Sequence, residues 1–252
     1  MCRLSVIIPA YNEESRIEKA VRSAAQFLAE LEFASEIIVV DDGSRDDTPA
    51  IVDRVSAELP SIRIMCHETN RGKGMAVRTG VLAAKGEWAL FSDVDEAVPI
   101  QEGLKLLAAA EEQGADVAIG TRYHKESRIL RRQPWPRILV SRVGNLLIRA
   151  LVLPGLRDTQ CGFKLLRTRS IRPVLERATV RGFGFDIEVL AVSRLWGRRI
   201  VEVPVTWVHG ENSTLRLRRA ALDVLRDLLR ITWRIRRGFY GREPRPEAVD
   251  EA

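Results

Sequence analysis

Among 252 residues there are only three cysteines, Cys2, Cys66 and Cys161. Their scatter excludes the paired spacing of a zinc site and a disulfide framework, and a reducing compartment is the simplest expectation. No run reaches the roughly 18 uninterrupted apolar residues of a spanning helix. The nearest, Val143–Leu153, is short and carries Asn145 and Arg149. The chain is therefore expected to be soluble or peripheral to a membrane. Little precedes the apolar run Leu4–Ile8, so no signal peptide is expected. No G-x-G-x-x-G follows that run, which disfavours a dinucleotide oxidoreductase. The basic stretches lack interleaved aromatic platforms, so no nucleic-acid partner is expected.

What is present is an apolar fraction of 46%, enough for a substantial core, and a charged fraction of 29%. Forty Lys and Arg against 34 Asp and Glu leave a net charge of +6. That balance by itself points to an anionic partner: nucleic acid, phospholipid or a phosphorylated substrate. The excess is uneven: Arg128, Arg131, Arg132, Arg137 and Arg142 crowd one stretch, and a second basic group runs from Arg216 to Arg242.

Short apolar runs alternate with amphipathic stretches through the first half. Leu4–Ile8, Glu36–Val40, Ile62–Cys66, Trp88–Ser92 and Val117–Gly120 read as buried strands. Between them Glu13–Leu31, Pro49–Leu59, Gly74–Ala84 and Ile100–Gln113 have helical period. Thr48-Pro49 reads as a helix start, with a hydroxyl cap and a proline at the first helical position. This alternation predicts an α/β fold, a mostly parallel sheet with helices on both faces and ligands beyond the carboxyl ends of the strands. From about 121 the pattern changes. A basic loop leads to an amphipathic segment, Arg137–Leu153, then a Gly-rich stretch, a helix near Asp186–Trp196, a strand at Ile200–Thr206 and an amphipathic helix at Leu217–Arg237. One domain over 1–241 is expected, with a nucleotide-binding half at about 1–120, an acceptor and membrane half at 121–241, and a disordered tail at 242–252.

Polar clusters fall where the strands should end: Pro9-Ala10-Tyr11-Asn12-Glu13-Glu14, Asp41-Asp42-Gly43-Ser44, Asn70-Arg71-Gly72-Lys73-Gly74 and Ser92-Asp93-Val94-Asp95. Taken singly, each fits an ordinary turn or helix cap. Together they set a ring of acids, one lysine and small residues along one sheet edge, which turns alone do not require. Tyr11 suits packing on a base, and Asp42 suits accepting an imide N–H. Asp93 and Asp95, one residue apart where the chain turns, can both address one Mg²⁺ or Mn²⁺ bridging a diphosphate. Lys73, in a Gly-rich loop opening a helix, adds a cation and backbone N–H donors.

LSVIIPAYNEE, IIVVDDGSRDDT, NRGKGMAVRTG and FSDVDEA, in this order and spacing, resemble glycosyltransferase family 2, whose fold is GT-A. The later DTQCGFKLL and FGFDIEVL resemble the dolichyl- and polyprenyl-phosphate glucosyltransferases of that family. The resemblance implies that Pro9, Tyr11, Glu13 and Asp42 hold the nucleotide and that Asp93 and Asp95 hold the metal. Gly120-Thr121-Arg122-Tyr123, then Arg137 and Ser141, are similar to positions that grip lipid phosphate in the related mannose synthases. A phosphate monoester is largely dianionic at pH 7 and is already a nucleophile, so it needs positioning cations rather than a strong base.

The residues expected to carry the reaction are Asp95, Arg122, Arg137 and Asp186; Asp186 and Glu188 suit orienting sugar hydroxyls or the cationic residues, and Glu188 equally suits a buried pairing with an arginine. Asp158, Gln160, Cys161 and Lys164 have no assigned role at this level. The resemblance implies inverting transfer of a hexose from a nucleotide sugar to polyprenyl or dolichyl phosphate at the cytoplasmic membrane face. Ala97 offers no ligand where mannose synthases have glutamine, which favours UDP-glucose over GDP-mannose. A departure is Ser213-Thr214, where the family has Ser-Lys; Arg216 is the candidate to supply the missing cation to the diphosphate. A non-catalytic binder would be expected to lose the Asp93–Asp95 pair, which is intact. Arg226, Arg230 and Arg234, with Trp233, suit a helix on anionic lipid, or a solvated face paired with Asp223 and Asp227.

Overall fold

The computed structural model describes residues 2–131, 135–208 and 217–242, without the side chains of 131, 135–137 and 217–220. Its centre is a seven-stranded sheet ordered β3-β2-β1-β4-β7-β5-β8. The strands are β1 (Leu4–Ala10), β2 (Ser35–Asp41), β3 (Ile62–Cys66), β4 (Trp88–Ser92), β5 (Val117–Thr121), β7 (Phe163–Arg167) and β8 (Ile200–Pro204). β1 is buried at all seven positions, and Ile37 to Val40 of β2 are fully buried. Continuous β-branched runs of this kind belong to a sheet covered on both faces. The helices that cover it are α1 (Ile17–Ala29), α2 (Thr48–Glu58), α3 (Lys73–Ala83), α4 (Gly103–Glu112), α6 (Thr168–Arg177) and α7 (Phe185–Leu195). In α1, Ile17, Ala20, Val21, Ala24, Phe27 and Leu28 are buried, the 3–4 spacing of one helical face.

Three features differ from the sequence reading. The stretch read as Gly-rich contains β7, which pairs antiparallel with both β4 and β5. Its order Phe163-Lys164-Leu165-Leu166-Arg167 hides a buried strand behind a lysine whose charge is neutralised internally. A second, two-stranded sheet joins β6 (Arg128–Arg131) to β9 (Thr206–Val208), and neither strand is evident in the basic sequence around them. Thr48 also differs. Its side chain makes no capping bond to α2. Instead its hydroxyl donates to Asp46 at 2.6 Å and accepts the Glu13 N–H at 2.8 Å.

Beyond the sheet lie α5 (Trp135–Leu151) and α8 (Leu217–Arg236), which pack on each other. Leu139, Val143, Leu146, Leu147, Leu222, Leu225, Leu229 and Trp233 are exposed on them. No helix among the described residues is long and apolar enough to cross a membrane. The tail from 243, Ser213, Thr214 and Arg216 lie outside the described residues.

Candidate active site

The first two polar clusters are sewn together at the ends of β1 and β2. Asn12 N–H donates to Ser44 Oγ at 2.8 Å, and Arg45 N–H donates to Asn12 Oδ1 at 2.9 Å. The Glu13 N–H bond to Thr48 and a Glu14 N–H bond to Asp46 at 3.1 Å complete the seam. Asn12 takes a φ of 53°, a left-handed turn that asparagine tolerates. This seam leaves Tyr11 exposed at the surface and Pro9 buried beneath it. Glu13 pairs with Arg16 at 2.5 Å. Burial nevertheless holds the Glu13 carboxyl above the usual range, with the charges of Asp95 and Asp93 adding to the rise.

Asp42 is buried and serves the third cluster. Its carboxylate accepts the N–H groups of Arg71 at 2.9 Å and Gly72 at 2.7 Å, and its Oδ1 lies 2.7 Å from His67 Nδ1. A carboxylate offers about four acceptor positions, so three are used in holding the loop and one is left. Its neighbour Asp41 accepts the Ser44 N–H at 3.0 Å through Oδ2, while its buried Oδ1 has no hydrogen-bond partner among the described residues. Gly72 has a φ of 98°, and a Cβ there would meet the Arg181 carbonyl oxygen at 2.6 Å. Only glycine fits a turn that is both left-handed and that close to another backbone.

That turn starts α3 with Lys73, whose Nζ lies 2.7 Å from Asp93 Oδ1 and 2.8 Å from Oδ2. Asp93 and Asp95 follow β4. A Cβ on Gly162 would overlap the Asp93 carboxylate, so a glycine at the start of β7 is what lets this acid lie against the neighbouring chain. Asp95 accepts the Ala97 N–H at 3.1 Å and reaches solvent on its other side. Desolvation by the surrounding protein, then the charge of Asp93, pushes its carboxyl above the usual range.

Both acids line a cavity of about 120 Å³ with Arg122, Gln160, Cys161 and Trp207 among its other walls. Its ionic donors for a metal are carboxylate oxygens, the chemistry of a hard divalent cation. Among the described residues no three His, Cys, Asp or Glu side chains are grouped to hold a metal. Two carboxylates fit a cation that completes its shell with diphosphate oxygens and water.

At Arg122, which also lines the cavity, charge is arranged differently. Arg122 lines the wall, but its guanidinium is forked onto buried Asp158 at 2.7 Å through both Nε and Nη2, and its N–H donates to the same carboxylate at 2.9 Å. Asp158 holds the Arg122 guanidinium firmly protonated against the cost of burial. The Glu202 carboxylate fixes the Asp158 segment through the N–H groups of Arg157 and Asp158, both at 2.8 Å. Ser141 of α5 reaches the same region through Tyr123, with hydroxyl oxygens 3.1 Å apart. The side chain of Arg137 lies outside the described residues.

Asp186 is buried and pairs with Lys164 at 2.6 Å, and neither is among the residues that line the cavity. Glu188 turns the other way and is a hub of structure. It accepts the N–H groups of Thr179 at 2.7 Å and Val180 at 2.6 Å and the Tyr240 hydroxyl at 2.7 Å, with Arg234 at 3.7 Å. Of its two open readings, ion pairing with arginine is the one the geometry shows. Cys161 lines the cavity, fully enclosed, and burial pushes its thiol up to about 12, so it is inert as a nucleophile. Arg226 and Arg230 pair loosely with Asp223 and Asp227 at 3.6 and 3.9 Å, while Leu222, Leu229 and Trp233 remain bare on the same helix.

Sequence reasoning missed three contributors: Gly162 beneath Asp93, Trp207 in the cavity wall, and Asp41 with its unpaired oxygen. Asp41 stands beside Asp42 in the motif, but nothing in the sequence tells that one of its oxygens is buried without a hydrogen-bond partner among the described residues.

Comparison with known proteins gives a consistent picture. The profile described as Glycosyl transferase family 2 matches residues 5–175. A dolichyl-phosphate beta-glucosyltransferase of Mus musculus is 34% identical over 251 residues, covering 94% of this chain and 77% of its own length. One from Dictyostelium discoideum is 31% identical over 248 residues, covering 94% and 76%. Among solved structures, glucosyl-3-phosphoglycerate synthase from Mycobacterium tuberculosis in complex with UDP superposes with a TM-score of 0.67 at 21% identity, covering 92% of this chain and 80% of that one.

Proposed function

The chain belongs to glycosyltransferase family 2, and from that premise we propose that it moves glucose from UDP-glucose to a polyprenyl or dolichyl phosphate, with inversion, at the cytoplasmic face of a membrane. The observation that carries this reading is the Asp93–Asp95 pair, which follows β4 and lines the same cavity as Arg122, whose guanidinium is fixed by Asp158. The named activity of the relatives at 31–34% identity supports both the sugar and the lipid phosphate.

In this reading Asp93 and Asp95 hold Mg²⁺ or Mn²⁺, which when bound neutralises charge on the departing diphosphate. Tyr11 packs on the base, Pro9 and Glu13 shape its cleft, and the remaining acceptor position of Asp42 or the free oxygen of Asp41 takes the imide N–H. Lys73 faces the diphosphate. Arg122, held rigid by Asp158, orients the lipid phosphate with Ser141 and Arg137, so the forked ion pair is a clamp and not a free cation. Asp186 acts through Lys164 and the charge near Lys73 and is a positioning residue. The bare apolar side chains of α5 and α8, among Arg142, Arg149, Arg226 and Arg230, rest on an anionic lipid surface.

The test is calorimetry with UDP and GDP in the presence of Mn²⁺, followed by product analysis with UDP-glucose, GDP-mannose and a polyprenyl phosphate. UDP should bind more tightly and glucosyl lipid should form. Tighter GDP binding, or transfer from GDP-mannose alone, rejects the donor while leaving the enzyme class in place.

A further inference from the structure

We propose that Lys73 is the resident counter-cation of the donor site: it holds Asp93 until a divalent cation arrives with a diphosphate, and so makes free metal a poor ligand of the donor-free protein. The inference rests on the reading of Asp93 and Asp95 as the metal-holding pair.

The two acids are not equivalent. Asp93 has both oxygens engaged by Lys73 Nζ, at 2.7 and 2.8 Å. Asp95, among the described residues, forms no ion pair, and its Oδ1 accepts only the Ala97 N–H. One acid is thus open and the other is occupied. The ammonium also lies 5.2 Å from the Phe91 ring centroid and 5.7 Å from that of Phe183, an aromatic setting that favours a cation. Its backbone is fixed, since a Cβ on Gly74 would come within 2.5 Å of Phe185 Cβ and Gly72 abuts the Arg181 carbonyl. The stem above that anchor has four rotatable carbons, so the head can change partner while the loop stays in place.

A divalent cation and an ammonium cannot share one carboxylate at these distances without strong mutual repulsion. Metal alone must displace Lys73 from Asp93 and leave the ammonium facing a new positive charge. Metal with a diphosphate brings two or more anionic oxygens, which give the released lysine its next partner. The order of binding then follows from the ion pair: metal and nucleotide enter together.

The experiment is a Mn²⁺ titration of the full chain by electron paramagnetic resonance, with and without UDP, in wild type, Lys73→Met, Lys73→Gln, Lys73→Arg and Asp93→Asn. Circular dichroism confirms that each is folded, and Lys73→Gln serves if Lys73→Met is not. The neutral variants should bind Mn²⁺ alone about tenfold or more tightly than wild type, the loss of a competing ion pair being of order 1.4 kcal/mol per tenfold. UDP should raise Mn²⁺ affinity less in them than in wild type, and Lys73→Arg should behave like wild type. Equal or weaker Mn²⁺ binding in the folded neutral variants, with binding still dependent on Asp93, overturns the counter-cation role and leaves the metal reading intact. Mn²⁺ binding that is indifferent to Asp93, with and without UDP, overturns both.

Discussion

Carboxylates enclosed by the fold and carboxylates that line the cavity are held differently. Asp158, Asp186 and Glu188, on the β7 and α7 side, are buried and answered by Arg122, by Lys164, and by Thr179, Val180 and Tyr240. Asp93 and Asp95, which follow β4, line the cavity; Lys73 engages Asp93 alone, and desolvation, then the nearness of Asp93, raises the carboxyl of Asp95. An acid whose acceptor positions are filled by its own fold maintains geometry. An acid left with unneutralised charge at a cavity invites a cation from outside. The same residue type therefore does two jobs here, and substituting it should produce two different losses.

The largest effect falls on the saturated side. Asp158→Asn strands the Arg122 guanidinium in a buried site, and removing one partner of such a pair costs about 3–5 kcal/mol. Urea unfolding should show that loss, accompanied by weaker use of lipid phosphate. A variant as stable as wild type would show that Arg122 finds another partner and that the fork is dispensable.

The matching substitution on the open side should spare stability and remove activity. Asp95→Asn is expected to lower turnover by about 10²–10³-fold, the scale of losing one preorganised electrostatic contact in a transition state. Circular dichroism should be unchanged, and EDTA on wild type should reproduce the loss. Full activity in EDTA would sink the metal assignment.

A smaller effect concerns the exposed apolar side chains of α5 and α8, proposed to rest on lipid. A charge at Leu229 or Leu146, both largely exposed, removes apolar contact with a bilayer but no contact with the core. Vesicle sedimentation with anionic lipid should weaken by roughly tenfold for one lost leucine contact of about 1.5 kcal/mol. Added salt should weaken attachment of the wild type as well, because exposed charges are screened. Unchanged sedimentation of both variants would assign this face to another partner.

The smallest effect is a pH dependence. The folded Asp95 carboxyl titrates above its unfolded value, so the fold binds its proton more tightly than the open chain does. Its contribution to stability is then greatest at low pH and falls away as pH rises through the raised value. Asp95→Asn should therefore exceed wild type in metal-free stability near neutrality, with the gap closing toward the ordinary aspartate range near about pH 4. A gap of the opposite sign at neutral pH would mean that Lys73 already compensates Asp95 as well as Asp93.

The amino-acid sequence by itself determined the strands β1 to β5 and the acids that follow them, because buried parallel strands are continuous apolar runs and their polar ends stand out against them. It also carried the family, since four motifs in fixed order leave little freedom. What it did not reveal is which polar group is spent on the fold. Asp41 and Asp42 are adjacent and chemically alike, yet one holds the loop at Arg71 and Gly72 while the other keeps a bare buried oxygen. Thr48 reads as a cap and is instead the tie between two motifs 35 residues apart. Lys164 disguises β7, because a strand interior accepts a lysine only when an acid such as Asp186 lies opposite, and that partner is 22 residues downstream. Pairing of this kind depends on distances between residues far apart in the chain, and only the tertiary structure brings them within reach of one another.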